Sequence, residues 1–403
     1  MSIPLTRYRE EVKQELYNIL RYWQTHTVDK EQGGFYGALN NNNEVQSGSP
    51  KGGVLNCRIL WTYAAAYGFD RNTAWLPLAE RAYDYLQAHF RDKEQGGVYW
   101  SVDATGKPLD TRKQIYGQAF AIYALSEYYK HTKQAAALDW AIDIYRLIEQ
   151  HSFDPAYKGY IDAFSGSWER ISDTRLSDKD DNAAKTMNTH LHMLEAYTNL
   201  YRVWPDAGLR TQLYYLIKAF IDHIVSPVNH HQVLFFDEHW GHPSTLISYG
   251  HDIEAAWLLP EAAAELHDSE LTQQVRAVSM ALAAAAAEGF DNTGGMQYEY
   301  EPGTQHMNAE KHWWVQAEAM VGFLEAYQQS GEDKYLEYSL HAWEFVKKYL
   351  LDKQHGEWFW GVTASLEVMP KQDKAGFWKC PYHNSRACLE VMHRIDAISK
   401  HHP

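Results

Sequence analysis

Three histidines stand in segments where an unpaired polar group is costly. His192 ends the run Met187-Asn188-Thr189-His190-Leu191-His192, and His251 lies in Gly250-His251-Asp252-Ile253-Glu254. His383 lies in Lys379-Cys380-Pro381-Tyr382-His383-Asn384-Ser385-Arg386. Each is set among apolar and aromatic neighbours, where ionisable side chains must be paired or used. Their wide separation along the chain predicts a central pocket where helices converge. Imidazole, with a pKa near neutrality, suits proton transfer there. Asn188 and His192 are four residues apart and share one helix face, whereas His190 points roughly the opposite way. The three-residue spacing puts Glu254 on the face of His251, placed to orient the imidazole or to bind a hydroxyl. Arg58, among Leu55, Ile59, Leu60 and Trp61, is a guanidinium on a strongly apolar helix and a candidate to stabilise an anion.

Other chemistries find no support in the pattern. His190 and His192 could ligate one metal only on an extended strand, and no HExxH motif or paired cysteine cluster is present. The glycine pairs precede extended pieces rather than opening helices, so no dinucleotide or phosphate loop is expected, and no GxSxG elbow occurs. Neither a metal nor a cofactor is expected. Glycoside hydrolysis needs two carboxylates facing each other across the scissile bond. Asp180, Asp181, Glu254 and Glu318 are available, but nothing marks out two of them. Aromatic residues make up 14% of the chain, with 15 Trp and 28 Tyr. Flat rings stack on the apolar faces of pyranoses, and they also fill helical cores.

The elements that must position these residues repeat. Asp29-Lys30-Glu31-Gln32-Gly33-Gly34-Phe35-Tyr36 returns as Asp92-Lys93-Glu94-Gln95-Gly96-Gly97-Val98-Tyr99. Weaker copies start at Asp154, Asp237, Asp291 and Asp352, each an Asp/Gly turn leading into a short extended piece. Between them, residues 75–90, 114–131, 135–151 and 335–350 show apolar residues at three- and four-residue spacing, the pattern of helices. Residues 55–67, 188–201 and 313–327 are apolar on most sides, as buried helices must be. The fourth period carries an insertion over residues 225–244. Six helix pairs closing on themselves make an all-α (α/α)6 barrel with short extended pieces in its loops. An open solenoid would need polar capping repeats, which neither end offers. One domain over residues 1–403 is therefore expected.

The net charge of −15 argues against nucleic acid as a partner. No signal peptide or membrane-spanning run is read from the sequence, and free thiols at Cys57, Cys380 and Cys388 are the expectation for a cytoplasmic protein. A small-molecule sugar is the expected partner, and a monomer or weak homodimer the expected state.

Five segments together carry a family resemblance. Asn56-Cys57-Arg58-Ile59-Leu60-Trp61, the His190/His192 run, Gly250 to Ala255, Lys311-His312-Trp313-Trp314-Val315-Gln316-Ala317-Glu318 and Lys379 to Asn384 resemble the cellobiose 2-epimerases of the N-acylglucosamine 2-epimerase superfamily of (α/α)6 barrels. The resemblance runs from the first repeat to the C-terminus. It implies that His251 and His383 are an acid/base pair acting at C2 and that His192 assists at the ring oxygens. It further implies that Arg58, Tyr116 and Asn188 hold O1 to O3 of the reducing sugar, that Trp314 and Trp378 are stacking surfaces, and that Glu254 supports them. Where the family has Gly-Pro-Trp before the Lys-Cys-Pro motif, this chain has Gly376-Phe377-Trp378. The implied reaction converts the reducing-end glucose of β-1,4-linked disaccharides to mannose, through ring opening and a cis-enediolate that Arg58 stabilises. Monosaccharide aldose–ketose isomerases and N-acylglucosamine 2-epimerases share the barrel and the histidine pair. From other classes, an (α/α)6 glycoside hydrolase and a non-catalytic sugar-binding barrel are the alternatives.

Overall fold

A computed structural model describes residues 3–242 and 244–401; Met1, Ser2, Pro243, His402 and Pro403 lie outside the described residues. Twelve α-helices follow one another: α1 (Ile3–His26), α2 (Gly53–Asp70), α3 (Leu76–Tyr85), α4 (Ile115–Thr132), α5 (Ala135–His151), α6 (Met187–Val203), α7 (Ala207–Ala219), α8 (Tyr249–Leu266), α9 (Ser269–Ala286), α10 (Trp313–Ser330), α11 (Asp333–Phe345) and α12 (Tyr382–His401). The even-numbered helices form an inner ring in which each packs on the next and α12 packs on α2. The odd-numbered helices lie outside. Helices α3, α5, α7, α9 and α11 each pack on the inner helix before them, and α1 packs on α12, so the two ends of the chain make the sixth pair. This is the (α/α)6 barrel that the repeats predict.

Local sequence explains the two layers. In α5 the buried residues Ala137, Trp140, Ala141, Ile144, Tyr145 and Ile148 recur at spacings of three and one, a single apolar stripe. In α2 every residue from Gly53 to Ala66 is buried, because neighbours cover it on both flanks and the barrel axis lies behind it. Three outer helices end in one π-helical turn, at Leu86–Phe90, Phe220–Ile224 and Val346–Leu350. Periodicity reads these turns as plain helix, since they bury the same apolar residues.

Short antiparallel strands tie the repeats together at the end where the inner helices begin. The pair of residues before each of α2, α4, α6, α8 and α10 hydrogen-bonds to a strand of the following repeat. Leu39, from the first repeat, bridges to Ala375 and closes this ring as well. All inner-helix N-termini thus share one end of the barrel, and the positive ends of their dipoles converge there.

The Asp loops anchor this ring. Asp29, Asp92, Asp154 and Asp291 each bond a lysine of a nearby strand (Lys51, Lys113, Lys185 and Lys311) at 2.7 to 3.0 Å, and Asp352 pairs with Lys374. The other Asp29 oxygen accepts from the backbone N–H groups of Glu31 and Gln32, which folds the turn. One sequence reading is corrected here. Asp237 does not belong to this loop set; its N–H donates to the Gly241 carbonyl in a second turn, matching Asp103 with Lys107 and Thr363 with Glu367. The fourth copy of the first loop is Val225–Gln232, held by the same type of bridge. There Ser226 stands for the aspartate and Ile247 for the lysine. Both charges are lost together, so neither is left buried alone.

Candidate active site

Stacking the inner helices shows how the site is built. Counting each from the residue after its strand (Pro381 for the last), the third position reads Leu55, Gly117, Thr189, His251, Val315 and His383. Three residues deeper, the sixth reads Arg58, Phe120, His192, Glu254, Glu318 and Arg386. Two imidazoles therefore stand in one layer and a third lies beneath them. Fourth-position side chains point outward and clamp loops: Gln118 holds Val98, Gln316 holds Met296, His190 accepts from the Tyr160 N–H, and Asp252 accepts from the Gln232 N–H. His190 thus faces away from His192, as its position on the helix requires.

The sixth-position residues touch around the ring. Arg58 lies over the Phe120 ring at 4.2 Å, and Phe120 and His192 are 4.7 Å apart between ring centroids. Arg386 Nη2 donates to Glu254 Oε1 at 2.5 Å and to Glu318 Oε1 at 2.7 Å, while its Nη1 donates to Glu195 Oε1. Glu318 Oε1 also meets His383 Nδ1 at 2.6 Å, and its Oε2 accepts from Trp257 Nε1 at 3.0 Å. Because Arg386 donates to the same oxygen, Glu318 Oε1 is the acceptor, which puts the His383 proton on Nδ1 and leaves Nε2 as a base. His251 Nδ1 lies 2.7 Å from the Ser248 hydroxyl. The reading that Glu254 orients His251 is corrected: Ser248 holds the imidazole, and Glu254 is drawn to Arg386. Trp314 lies beside both upper imidazoles, 4.7 Å from His251 and 5.8 Å from His383. Only glycine at 250 permits this, since a Cβ there would come within 2.6 Å of the Trp314 ring.

Across the chamber, Arg58 Nη2 donates to the Tyr116 hydroxyl at 2.8 Å, and Tyr116 packs edge-on against His192 and Trp378. Phe377, at the point of departure from the family motif, packs on Trp100 and Trp378 and lies against Gly52. Buried polar atoms are almost always paired. Here Arg58 Nε, Asn188 Oδ1 and Glu254 Oε2 have no partner among the described residues. Three unspent polar atoms on three inner helices, α2, α6 and α8, suit the site to a polyhydroxylated ligand.

Electrostatics keep the imidazoles neutral. Burial, then the nearby His192, lowers His251 to about 3. Burial, with Arg58 and Arg386 adding to it, holds His383 well below its ordinary value. His192 is also lowered by burial, against the pull of Glu195. Burial raises Glu254 far above the usual carboxylate range, and the neighbouring Glu318 raises it further. Ligand atoms of Glu254, Glu318 and His383 lie within 4.8 Å of one another, the one cluster among the described residues that could hold a cation. Arg386 already bridges both carboxylates, so the protein supplies the positive charge that this trio would draw.

The structure therefore brings Arg58, Tyr116, Asn188, His192, His251, Glu254, Trp314, Trp378 and His383 to one chamber. Sequence reasoning missed the work of Glu195, Ser248, Glu318, Tyr382 and Arg386. Repeat stacking could have found Glu318 and Arg386, since it shows a sixth position rich in ionisable groups; Glu195, Ser248 and Tyr382 lie outside that position.

Comparison with known proteins agrees with this geometry. The family model for N-acylglucosamine 2-epimerase (GlcNAc 2-epimerase) matches residues 33–387. The cellobiose 2-epimerase of Bacteroides fragilis is 49% identical over 385 residues, 95% of this chain and 98% of that protein. A solved cellobiose 2-epimerase from Bacillus thermoamylovorans superposes with a TM-score of 0.90 at 40% identity, covering 98% of this chain and 100% of the other. That from Spirochaeta thermophila gives 0.92 at 37% identity, covering 98% of each. The chain belongs to the N-acylglucosamine 2-epimerase family. It is a carbohydrate isomerase built on an (α/α)6 barrel. No described helix is long and apolar enough to cross a membrane.

Proposed function

We propose that this enzyme inverts C2 of the reducing-end glucose of β-1,4-linked disaccharides, converting cellobiose to glucosyl-mannose and acting on lactose likewise. The observation that carries the reading is the layer shared by His251 and His383. Two neutral imidazoles flank the Trp314 ring, with the Arg58 guanidinium across the chamber. The names of relatives at 49% and 40% identity support the substrate class.

Chemistry dictates the order of events. The C2 proton is acidic only beside a free carbonyl, so the hemiacetal opens first. His192, whose Nδ1 faces Glu195 at 3.1 Å, leaves Nε2 to take the O1 proton and pass it to the ring oxygen as the C1–O5 bond breaks. One upper imidazole then removes the C2 proton. The cis-enediolate that remains bears its negative charge near Arg58 and the inner-helix N-termini. That charge also stabilises the new imidazolium, offsetting the Arg58 and Arg386 guanidinium groups that disfavour it. The second imidazole, which takes up a proton from solvent as the negative charge develops, delivers it to the other face, and the first returns the abstracted proton to solvent. Asn188 Oδ1 and Glu254 Oε2 are free to accept hydroxyls, and Trp314 and Trp378 to stack on the sugars.

A hydrolase fits poorly. Glu254 and Glu318 share one donor, Arg386 Nη2, instead of facing each other across a bond. The reading takes the chain as one catalytic domain in the cytosol, a monomer or weak homodimer acting without a cofactor. Incubation with cellobiose, lactose, mannose and N-acetylglucosamine tests it. Glucosyl-mannose from cellobiose is expected. Release of glucose would identify a hydrolase, turnover of mannose alone an aldose–ketose isomerase, and turnover of N-acetylglucosamine alone an N-acylglucosamine 2-epimerase.

A further inference from the structure

Beneath the imidazole layers, at the end where the inner helices finish, lies a cavity of about 260 Å³, lined by Trp61, Tyr123, Glu127, Glu195, Trp257 and Leu389 among others. Trp61, Tyr123, Glu195, Trp257 and Leu389 all occupy the ninth position of their helices, one layer below Arg58, His192 and Glu254. They form the layer between this cavity and the histidine site. Trp61 and Tyr123 stack at 5.3 Å, and the Tyr382 ring packs edge-on against both. Glu195 is the carboxylate in this layer. Its Oε1 accepts from Tyr382 and Arg386, and its Oε2 lies 3.1 Å from His192 Nδ1. Burial alone would raise its pKa, but Arg386 and His192 outweigh burial and hold it at about 2. The carboxylate stays ionised and can only accept, so His192 Nδ1 must carry the proton.

We propose that Glu195 is a positioning residue for the reaction, fixing His192 as the tautomer whose Nε2 faces the sugar, and that it can be reached from the rear cavity by small carboxylates. The inference rests on the proposed epimerase activity for its kinetic part, but not for its structural part. Loss of an orienting carboxylate behind a catalytic histidine costs ~10²-fold in rate or more.

Two variants and one spectroscopic measurement test it. Glu195→Gln keeps the shape and removes the charge; kcat on cellobiose should fall ~10²-fold with KM little changed. Glu195→Ala opens a space continuous with the rear cavity, and formate should restore activity there while formamide should not. A glutamate that served only to pair Arg386 would leave the His192 tautomer free, which the NMR measurement reads directly. Nitrogen-15 NMR of His192 in the unaltered, sugar-free enzyme should show a protonated Nδ1 and a bare Nε2. A wild-type kcat for Glu195→Gln, a folded Glu195→Ala that formate does not rescue, or a bare Nδ1 would each overturn the proposal. If Glu195→Ala does not fold, the Gln variant and the NMR measurement decide. Should the unaltered enzyme leave cellobiose untouched, the substrate reading fails while the tautomer measurement still stands on its own.

Discussion

Arg386 is the most connected cation in the barrel, and its replacement by methionine tests the electrostatic account directly. The guanidinium is almost wholly buried, donates to Glu195, Glu254 and Glu318, and lies over the Trp257 and Tyr382 rings at 4.7 and 4.4 Å. Methionine preserves most of the volume, so packing loss is small and the effect is one of charge. Removing one member of a buried pair costs about 3–5 kcal/mol, because the partner is left uncompensated. For 403 residues the entropy of unfolding near 60 °C is about 0.8 kcal/mol/K, so Tm should drop by ~4–6 °C. The sign of the pH dependence follows from the carboxylates. Burial and Glu318 already raise Glu254 well above its ordinary value. Without the guanidinium the cluster binds protons more tightly when folded than when unfolded. Stability is then greatest below the unfolded carboxylate pKa and is lost as pH rises through the folded one. Arg386→Met should therefore melt further below the parent at pH 8 than at pH 5.5, and Glu254→Gln added to it should recover part of the loss. Calorimetry at the two pH values is the assay. A variant that melts within about 1 °C of the parent at both would show that the carboxylates do not depend on Arg386, and the argument would fail.

His251→Ala and His383→Ala should each lower kcat by at least ~10³-fold while far-UV circular dichroism stays unchanged, since inversion has no spare base; near-normal turnover in either would break the pairing. In D2O the epimerised product should carry deuterium at C2, because an imidazole N–H exchanges with solvent before it delivers its proton, and NMR showing retained hydrogen would rule out the two-histidine path. His192, His251 and His383 all have lowered folded pKa values, so each makes the barrel less stable as the pH drops below about 6.5, against buried carboxylates with raised values that act the other way. Each histidine contributes up to ~1.4 kcal/mol per pH unit, so the urea midpoint of His251→Ala should gain on that of the parent between pH 6.5 and 4.5, and a difference independent of pH would contradict this.

The architecture was legible because helical periodicity and the Asp–Gly loops repeat together. The near-identical loops at Asp29 and Asp92 set the period. Apolar residues around Leu55 and Trp313 then distinguish inner helices from the striped outer ones. Reading failed where a repeat changed both partners of a contact at once. With Ser226 and Ile247 in place of the Asp–Lys pair, nothing marked the fourth loop, and the Asp–Gly spacing of a neighbouring turn at Asp237 drew the register eleven residues downstream. In the site, the histidines stood out because imidazoles in apolar helices are conspicuous. Their orienting partners did not. Glu318 is 65 residues from His383, and Ser248 precedes its helix, so only the folded ring relates them. Spacing within one helix gave Glu254 to His251; the three-dimensional pull of Arg386, 132 residues away, takes it elsewhere.

The closure of the ring has a consequence in time. The α1–α12 pair is sealed by contacts such as Arg9 with Asp396, 387 residues apart, and the strand ring by Leu39 with Ala375. Arg58 and Cys380, 322 residues apart, meet across the same join. Local helices form within microseconds, whereas contacts this distant must overcome the entropy of closing nearly the whole chain. On refolding from urea, helical ellipticity should therefore return well ahead of turnover, with an open, fully helical but inert arc of repeats in between. The enzyme becomes a catalyst only at the moment its first and last helices meet.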